Sequence, residues 1–355
     1  MRLAFVSRHN PTPEGSQDGK IFRALVEGLL ADGHEVTAMS WAHDQPHDDM
    51  PDWCEYRPVP YEAGWKMHGR ALFKPRWDAA RIEWRPPADA TAIAEDPLSW
   101  PVVAQHPGAA VVFHYLTKID APALRRPTPP DVQDMRHERR VAARASKVLA
   151  MSDRVARAAA GRRATVVPMA YPVPPQPLDV VDEPVVALLA SWNWAPNHAA
   201  LDRLLACWPA VRDAVPGARL LLAGRGLETM GVGTLAGVEQ VGAVRRPADV
   251  LGRAAVVAYP CPGTSGPKVK VVEALAYGVP VVTTPAGVEG LHVAPEDGPV
   301  VADEHRFADA LVALLRDPAR RAALAARGHP AVAATHAPLP AARARVTALG
   351  EVARV

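Results

Sequence analysis

Three cysteines in 355 residues, Cys54, Cys207 and Cys261, are odd in number and far apart, and no C-x-x-C spacing joins them. A disulfide framework is therefore not expected, and reduced thiols in a cytoplasmic setting are. Long apolar runs are missing as well. The N-terminus turns polar within its first residues, and nothing approaches the roughly 18 apolar residues of a bilayer span, so neither a cleaved secretion signal nor a membrane anchor is expected. A net charge of +2 leaves no basic excess on the scale of a polyanion partner, which argues against nucleic acid. One run has the look of metal ligands, His43, Asp44, His47, Asp48 and Asp49, but Pro46 interrupts it within polar surroundings, and a solvated loop is the default reading.

Lysine is scarce too, with seven residues in the chain, and yet Lys268 and Lys270 stand together in the stretch Gly-Thr-Ser-Gly-Pro-Lys-Val-Lys-Val-Val-Glu over 263–273. The pattern predicts a small-residue loop running into a helix, with Pro267 at the first helical position, Ser265 or Gly266 as cap, and Gly278 as the left-handed stop. Helical spacing puts Gly266, Lys270, Glu273 and Tyr277 on one face and Val269, Val272 and Ala276 on the apolar one. Cations in a first turn are disfavoured by the helix dipole, so an anion is expected there. A helix N-terminus with ammonium groups suits phosphates, and a carboxylate one turn on suits ribose hydroxyls.

At this length two domains are the natural expectation. Strands are expected at 3–7, 36–40, 90–95, 109–113 and 148–151, with a last one near Val166 and Val167, and helices at 20–30 and 136–145. A long turn-rich loop, 8–19, follows the first strand and carries Gly15 and Gly19. His114 falls just past a strand's carboxyl end, where open parallel sheets collect their ligands. Residues 65–85 mix Trp65, Phe73, Trp77 and Trp84 with basic residues; a helix covering its own core is preferred over an acceptor site or a weak membrane-surface contact.

The proline-rich stretch from Pro172 to Pro177 reads as the domain boundary. Beyond it strands are expected at 185–190, 219–223, 238–241, 255–259 and 281–284, a helix at 198–211, and an amphipathic helical tail over 307–327 ending near Gly328. Two Rossmann-like halves follow: 1–178, joined by the returning tail 336–355, and 179–335.

With these residues assembled, the chain resembles the GT-B fold glycosyltransferases of glycosyltransferase family 4. The carriers are Gly-Ala-Arg-Leu-Leu-Leu-Ala-Gly at 217–224, Lys-Val-Val-Glu-Ala-Leu-Ala-Tyr-Gly-Val-Pro-Val-Val-Thr-Thr at 270–284, and the segment 307–324. The resemblance implies an α/β fold of two parallel-sheet domains facing a central cleft. It implies a retaining, metal-independent hexosyltransferase without cofactor, moving a sugar from a UDP, GDP or TDP sugar to an acceptor hydroxyl. Glu273 matches the second glutamate of the family's E-x7-E motif, which holds the donor ribose. Gly263, Thr264, Ser265 and Gly266 match the loop under donor sugar and diphosphate, Lys268 and Lys270 the phosphate cations, Gly224 and Val244 the walls of the base site. Asn197 and Arg225 join the donor-binding set. His114 matches the histidine that faces the donor sugar, and Gly15 and Gly19 the loop near the diphosphate. Oligomeric state is not implied.

Two departures stand out. Ser265 occupies the place of the first motif glutamate, and the residues 191–197 replace the basic pair that usually follows the first strand of the second domain. Two other readings of the same fold therefore stay open, a nucleotide-sugar 2-epimerase and a catalytically silent nucleotide-sugar binder.

Overall fold

The computed structural model describes residues 1–13, 15–42, 45–59, 66–67, 70–71 and 82–350, with the side chains of 66–67 and 70–71 excepted. The aromatic-basic stretch 65–85 thus lies largely outside the described residues, as do His43 and Asp44. The chain divides into two units. The first is Met1–Pro172 with Ser265–Pro267 and His336–Val355; the second is Val173–Thr264 with Lys268–Thr335.

The first unit runs β1 (Arg2–Ser7), α1 (Gln17–Ala31), β2 (Glu35–Ser40), β3 (Cys54–Tyr56), the two-residue pair β4 (Lys66–Met67) and β5 (Arg70–Ala71), β6 (Thr91–Ala94), α2 (Trp100–Val103), β7 (Ala110–Phe113), α3 (Thr117–Leu124), α4 (Pro129–Arg144), β8 (Lys147–Ala150), α5 (Asp153–Ala159) and β9 (Ala164–Val166). Its sheet has the order β3-β2-β1-β6-β7-β8-β9, parallel throughout. Leu3, Ala4, Phe5 and Val6 of β1 are fully buried, because helices cover both faces of a parallel sheet and leave no polar side. The expected loop 8–19 is shorter than its pattern: Ser16 caps α1 by accepting from Gly19 N, which places Gly19 in the helix's first turn. The helix expected at 136–145 begins earlier, at Pro129, where Thr128 and Asp131 form a capping box.

The second unit runs β10 (Val185–Leu189), α6 (Ala195–Ala214), β11 (Arg219–Ala223), β12 (Val238–Gly242), α7 (Ala248–Leu251), β13 (Val256–Tyr259), α8 (Val269–Ala276), β14 (Val281–Thr283), β15 (Val300–Val301), α9 (Phe307–Leu315) and α10 (Pro318–His336), whose last residue falls to the first unit. The sheet order β12-β11-β10-β13-β14-β15 is again parallel and doubly wound. The tail departs from the expectation of one helix ending near Gly328. It breaks after Leu315, and α10 then passes through Gly328, whose missing Cβ lets the helix lie against Leu275: a Cβ there would sit 3.1 Å from the leucine Cδ2.

A further helix, α11 (Pro338–Gly350), returns to the first unit and packs on α1, where Gly28 meets the Pro338 carbonyl so closely that a Cβ would lie 2.1 Å from it. Among the described residues no helix is long and apolar enough to cross a membrane.

Candidate functional site

In a doubly wound sheet the loops leaving the two central strands run to opposite faces and open a crevice at their carboxyl ends. In the first unit those strands are β1 and β6, and the residues just beyond them, Arg8 and His9 after β1, Glu95 and Asp96 after β6, join His114 and Tyr115 after β7 in an ionic cluster whose members are half-buried except for the buried Glu95. Gln45 and Ser16 both reach His9 Nδ1 at 3.2 Å. Its Nε2 lies 3.3 Å from Asp18 Oδ2 and 3.3 Å from Arg8 Nη2. Burial, with Arg8 adding to it, pulls His9 toward its neutral form against the attraction of Asp18. Arg8 stays charged despite its burial through Tyr115 and Asp96. Asp96 accepts from Arg8 N at 3.1 Å and from Leu98 N and Ser99 N, capping the turn that follows.

His114 points its Nε2 at Glu95, 3.7 Å from Oε2, while the other oxygen of that carboxylate accepts from Arg345 Nη1 of α11 at 2.6 Å. Burial alone would raise Glu95; Arg345 and His114 more than offset it and hold the carboxyl below its usual range. Gly15 lies in the loop before α1 with its N–H donating to Thr12 O, and a Cβ on Gly19 would come within 2.2 Å of the Asn10 carbonyl. Both expected glycines thus let the β1–α1 loop fold tightly on itself.

Ser265–Pro267 are counted with this unit. Ser265 N and Oγ donate to Asp120 Oδ1 at 2.7 and 2.6 Å, and Oγ accepts from Leu116 N at 3.0 Å. A carboxylate is therefore present at Ser265 after all, brought by α3 rather than by the motif position. Gly266 has φ +76 and presses on the backbone of His114, where a Cβ would meet the carbonyl oxygen at 2.0 Å. Only a residue without a side chain fits that left-handed, close approach.

In the second unit the central strands are β10 and β13. The loop after β10 is tied to the end of β11 and to itself: Trp192 Nε1 donates to Ala223 O at 3.0 Å, and Asn197 Nδ2 to Ser191 O at 2.5 Å. Asn197 is buried, and its Oδ1 accepts from the Tyr259 hydroxyl at the end of β13 at 3.4 Å, so its amide is engaged by the protein on both sides. Gly224 holds φ +120 where the loop after β11 touches that after β10; a Cβ would lie 1.7 Å from Ala190 O. Arg225 beside it is exposed, and Val244, past β12, is half-buried.

The helix start differs from expectation. Lys268 is the N-cap, and α8 begins at Val269 rather than Pro267. Gly266 is left-handed and Ser265 is bonded to Asp120, so neither caps the helix. Lys268 Nζ donates to Thr264 O at 3.2 Å, which folds the exposed Gly263 and buried Thr264 over the helix end. Lys270 lies in the first turn, with Nζ 5.0 Å above the Tyr259 ring, and burial draws its ammonium down to about 8. Glu273 is buried one turn on. The two-faced helix expected from spacing is instead buried nearly all round, from Val271 to Ala276, with Val269 only half-covered. Gly278, at φ +75, ends it: Gly278 N and Val279 N donate back to Leu275 O and Ala274 O.

The second unit thus gathers Gly224, Arg225, Gly263, Thr264, Lys268, Lys270 and Glu273 at the carboxyl side of its sheet. His114, Gly15, Gly19, Ser265 and Gly266 belong to the first. Sequence reading missed Glu95, Asp120 and Arg345. Glu95, a carboxylate closing an apolar strand run, carried a usable signal; Arg345, in an alanine-arginine helix, carried none.

No curated protein matches the sequence. Residues 183–317 match the family model of glycosyl transferases, group 1. The whole chain superposes on solved GT-B glycosyltransferases. TarM of S. aureus is 10% identical at a TM-score of 0.75, covering 99% of each chain. Sucrose-phosphate synthase from Thermosynechococcus elongatus is 17% identical at 0.71, covering 98% of each. Anabaena Alr3699/HepE, solved with UDP-glucose, is 14% identical at 0.66, covering 98% of this chain and 99% of that one. The fold is GT-B, two parallel-sheet α/β domains.

Proposed function

We propose that this chain, a group 1 glycosyltransferase through residues 183–317 and a GT-B protein in fold, moves a hexose from a nucleoside-diphosphate sugar to an acceptor hydroxyl with retention of configuration. The observation that carries the reading is Lys270. Its half-buried ammonium makes no hydrogen bond among the described residues and is drawn down to about 8 at the start of α8, which is the signature of a cation awaiting an anion.

In this reading the second unit holds the donor. Lys268, Lys270 and the first amides of α8 meet the diphosphate, Glu273 accepts from the ribose, and the loops at Gly224, Arg225 and Val244 wall the base. The neighbour solved with UDP-glucose makes UDP the first nucleotide to test, ahead of GDP and TDP. The acceptor is assigned to the first unit, the one that carries His114. The bond from anomeric carbon to phosphate oxygen breaks, a bond to the acceptor oxygen forms, and the acceptor proton passes to the departing diphosphate. No metal and no cofactor enter this scheme: fixed cations stabilise the leaving anion without reorganising, and removing one such group costs about 3 kcal/mol, on the order of a hundredfold in rate.

The test is incubation with UDP-, GDP- and TDP-hexoses, with product analysis. Slow donor hydrolysis without acceptor, and a glycoside of retained configuration with one, support transfer. An epimerised nucleotide sugar would replace the proposal with the 2-epimerase, and tight binding with no turnover would replace it with a silent binder.

A further inference from the structure

We infer that Glu95, held as a carboxylate by Arg345 of α11, is the positioning residue for His114 and fixes its tautomer, so that Nδ1 is presented as a hydrogen-bond acceptor. The inference rests on the transferase reading only for the identity of the hydroxyl that Nδ1 would meet. The tautomer itself is a property of the free protein.

Three elements of the first unit converge here: Glu95 follows β6, His114 follows β7, and Arg345 comes from α11. Glu95 and Arg345 are 4% and 1% exposed and joined at 2.6 Å. The imidazole edge bearing Nε2 is turned to the second oxygen of Glu95 at 3.7 Å, and Nε2 is buried with no hydrogen-bond partner. A lone pair on Nε2 would face a negative oxygen in a site shielded from water, whereas an N–H there is attracted to it. A neutral imidazole carries one proton, so placing it on Nε2 leaves Nδ1 with the lone pair.

Nδ1 makes no hydrogen bond within the described residues and is not a buried orphan like its neighbour. It is therefore the nitrogen a ligand can reach. Of the other charged neighbours, Asp18 and His9 lie 3.3 Å apart with Arg8 and Asp96 close by, and both also feel the charge of His114. Glu95 is the carboxylate whose oxygen stands 3.7 Å from a His114 ring nitrogen. Arg345 is what makes this dependable, since a buried carboxyl without it would tend to the neutral acid and could donate to Nε2 instead.

On the transferase reading, an acceptor nitrogen asks for a sugar hydroxyl. A donor sugar lacking that one hydroxyl would lose about tenfold or more in kcat/KM, because the buried polar group is left unpaired.

The deciding experiment is two-bond proton–nitrogen correlation on the uniformly labelled full chain, at a pH where the imidazole is neutral, with the His114 signals assigned by His114→Gln. The expected pattern is a protonated-type Nε2 and an unprotonated-type Nδ1. Nδ1–H, or an even mixture, would overturn the inference. Glu95→Gln, whose amide can present either oxygen or NH2, is expected to mix the tautomers, and Arg345→Lys to preserve them. An unchanged pattern in Glu95→Gln would show that Glu95 does not position the ring. Should that variant fail to fold, the wild-type pattern and the carbon-13 titration of the Glu95 carboxyl decide alone, an ionised Glu95 with Nε2–H supporting the inference and a neutral acid overturning it. All these readouts stand whether or not sugar transfer is found.

Discussion

The ammonium of Lys270 rides 5.0 Å over the ring of Tyr259, so the aromatic face partly replaces the water that burial removes. With its ammonium drawn down to about 8, Lys270 begins to lose its proton within an ordinary working range. A diphosphate favours the charged form, so binding above pH 8 must take up a proton. Affinity for UDP, read by calorimetry, is expected to be flat below pH 7.5 and to weaken about tenfold by pH 9.5. Lys270→Arg should remove that limb, and Lys270→Met should weaken binding at all pH values. A pH-independent wild type would refute the assignment.

Gly224 gives a backbone test. With φ +120, and Ala190 O only 1.7 Å from where a methyl group would sit, Gly224→Ala must open the contact between the loops after β10 and β11. A loss of several kcal/mol, or no folded protein, is expected by thermal unfolding. Gly231→Ala, also at positive φ (+62) but with nothing within 4 Å, should cost about 1 kcal/mol and separates conformational strain from collision.

Glu138 supplies a stability test. Buried in α4, it accepts from Thr117 N and Oγ1, and burial pushes its carboxyl up to about 7. A folded-state value above the unfolded 4.5 means the native state binds the extra proton between those values. Stability therefore falls as pH rises from about 4.5 to 7. Glu138→Gln should remove this loss, becoming more stable than wild type relative to pH 5 by on the order of 3 kcal/mol at pH 8, measured by urea unfolding. Parallel pH profiles for the two proteins would contradict it.

For the pair Arg345 and Glu95, removing one partner leaves a buried charge alone. Arg345→Met is expected to destabilise by about 3–5 kcal/mol, and Arg345→Met with Glu95→Leu by clearly less. Equal losses in single and double variants would show that the packing of Arg345, and not its charge, matters.

The parallel strands were legible because burial on both faces writes them as continuous apolar runs; Arg219–Ala223 appears at its expected bounds. Helix ends were harder. Pro267 and Ser265 have the composition of a helix start, yet Ser265 is drawn away by Asp120, a residue far off in sequence. Gly328 has the composition of a stop, yet packing against Leu275 carries α10 through it. The site shows the same divide. Lys268, Lys270 and Glu273 come from one local stretch and could be read together. Glu95 and Arg345 meet only through the return of α11, a contact that no local pattern encodes.

That return also sets an order on biosynthesis. Arg345 is translated after the entire second unit, so a ribosome that has finished residues 1–172 has made a first unit whose Glu95 still lacks its counter-cation and whose α1 still lacks its cover. Vectorial folding of the first unit ahead of the second is thereby discouraged, and the cluster around His114 reaches its final charge state only when α11 has emerged.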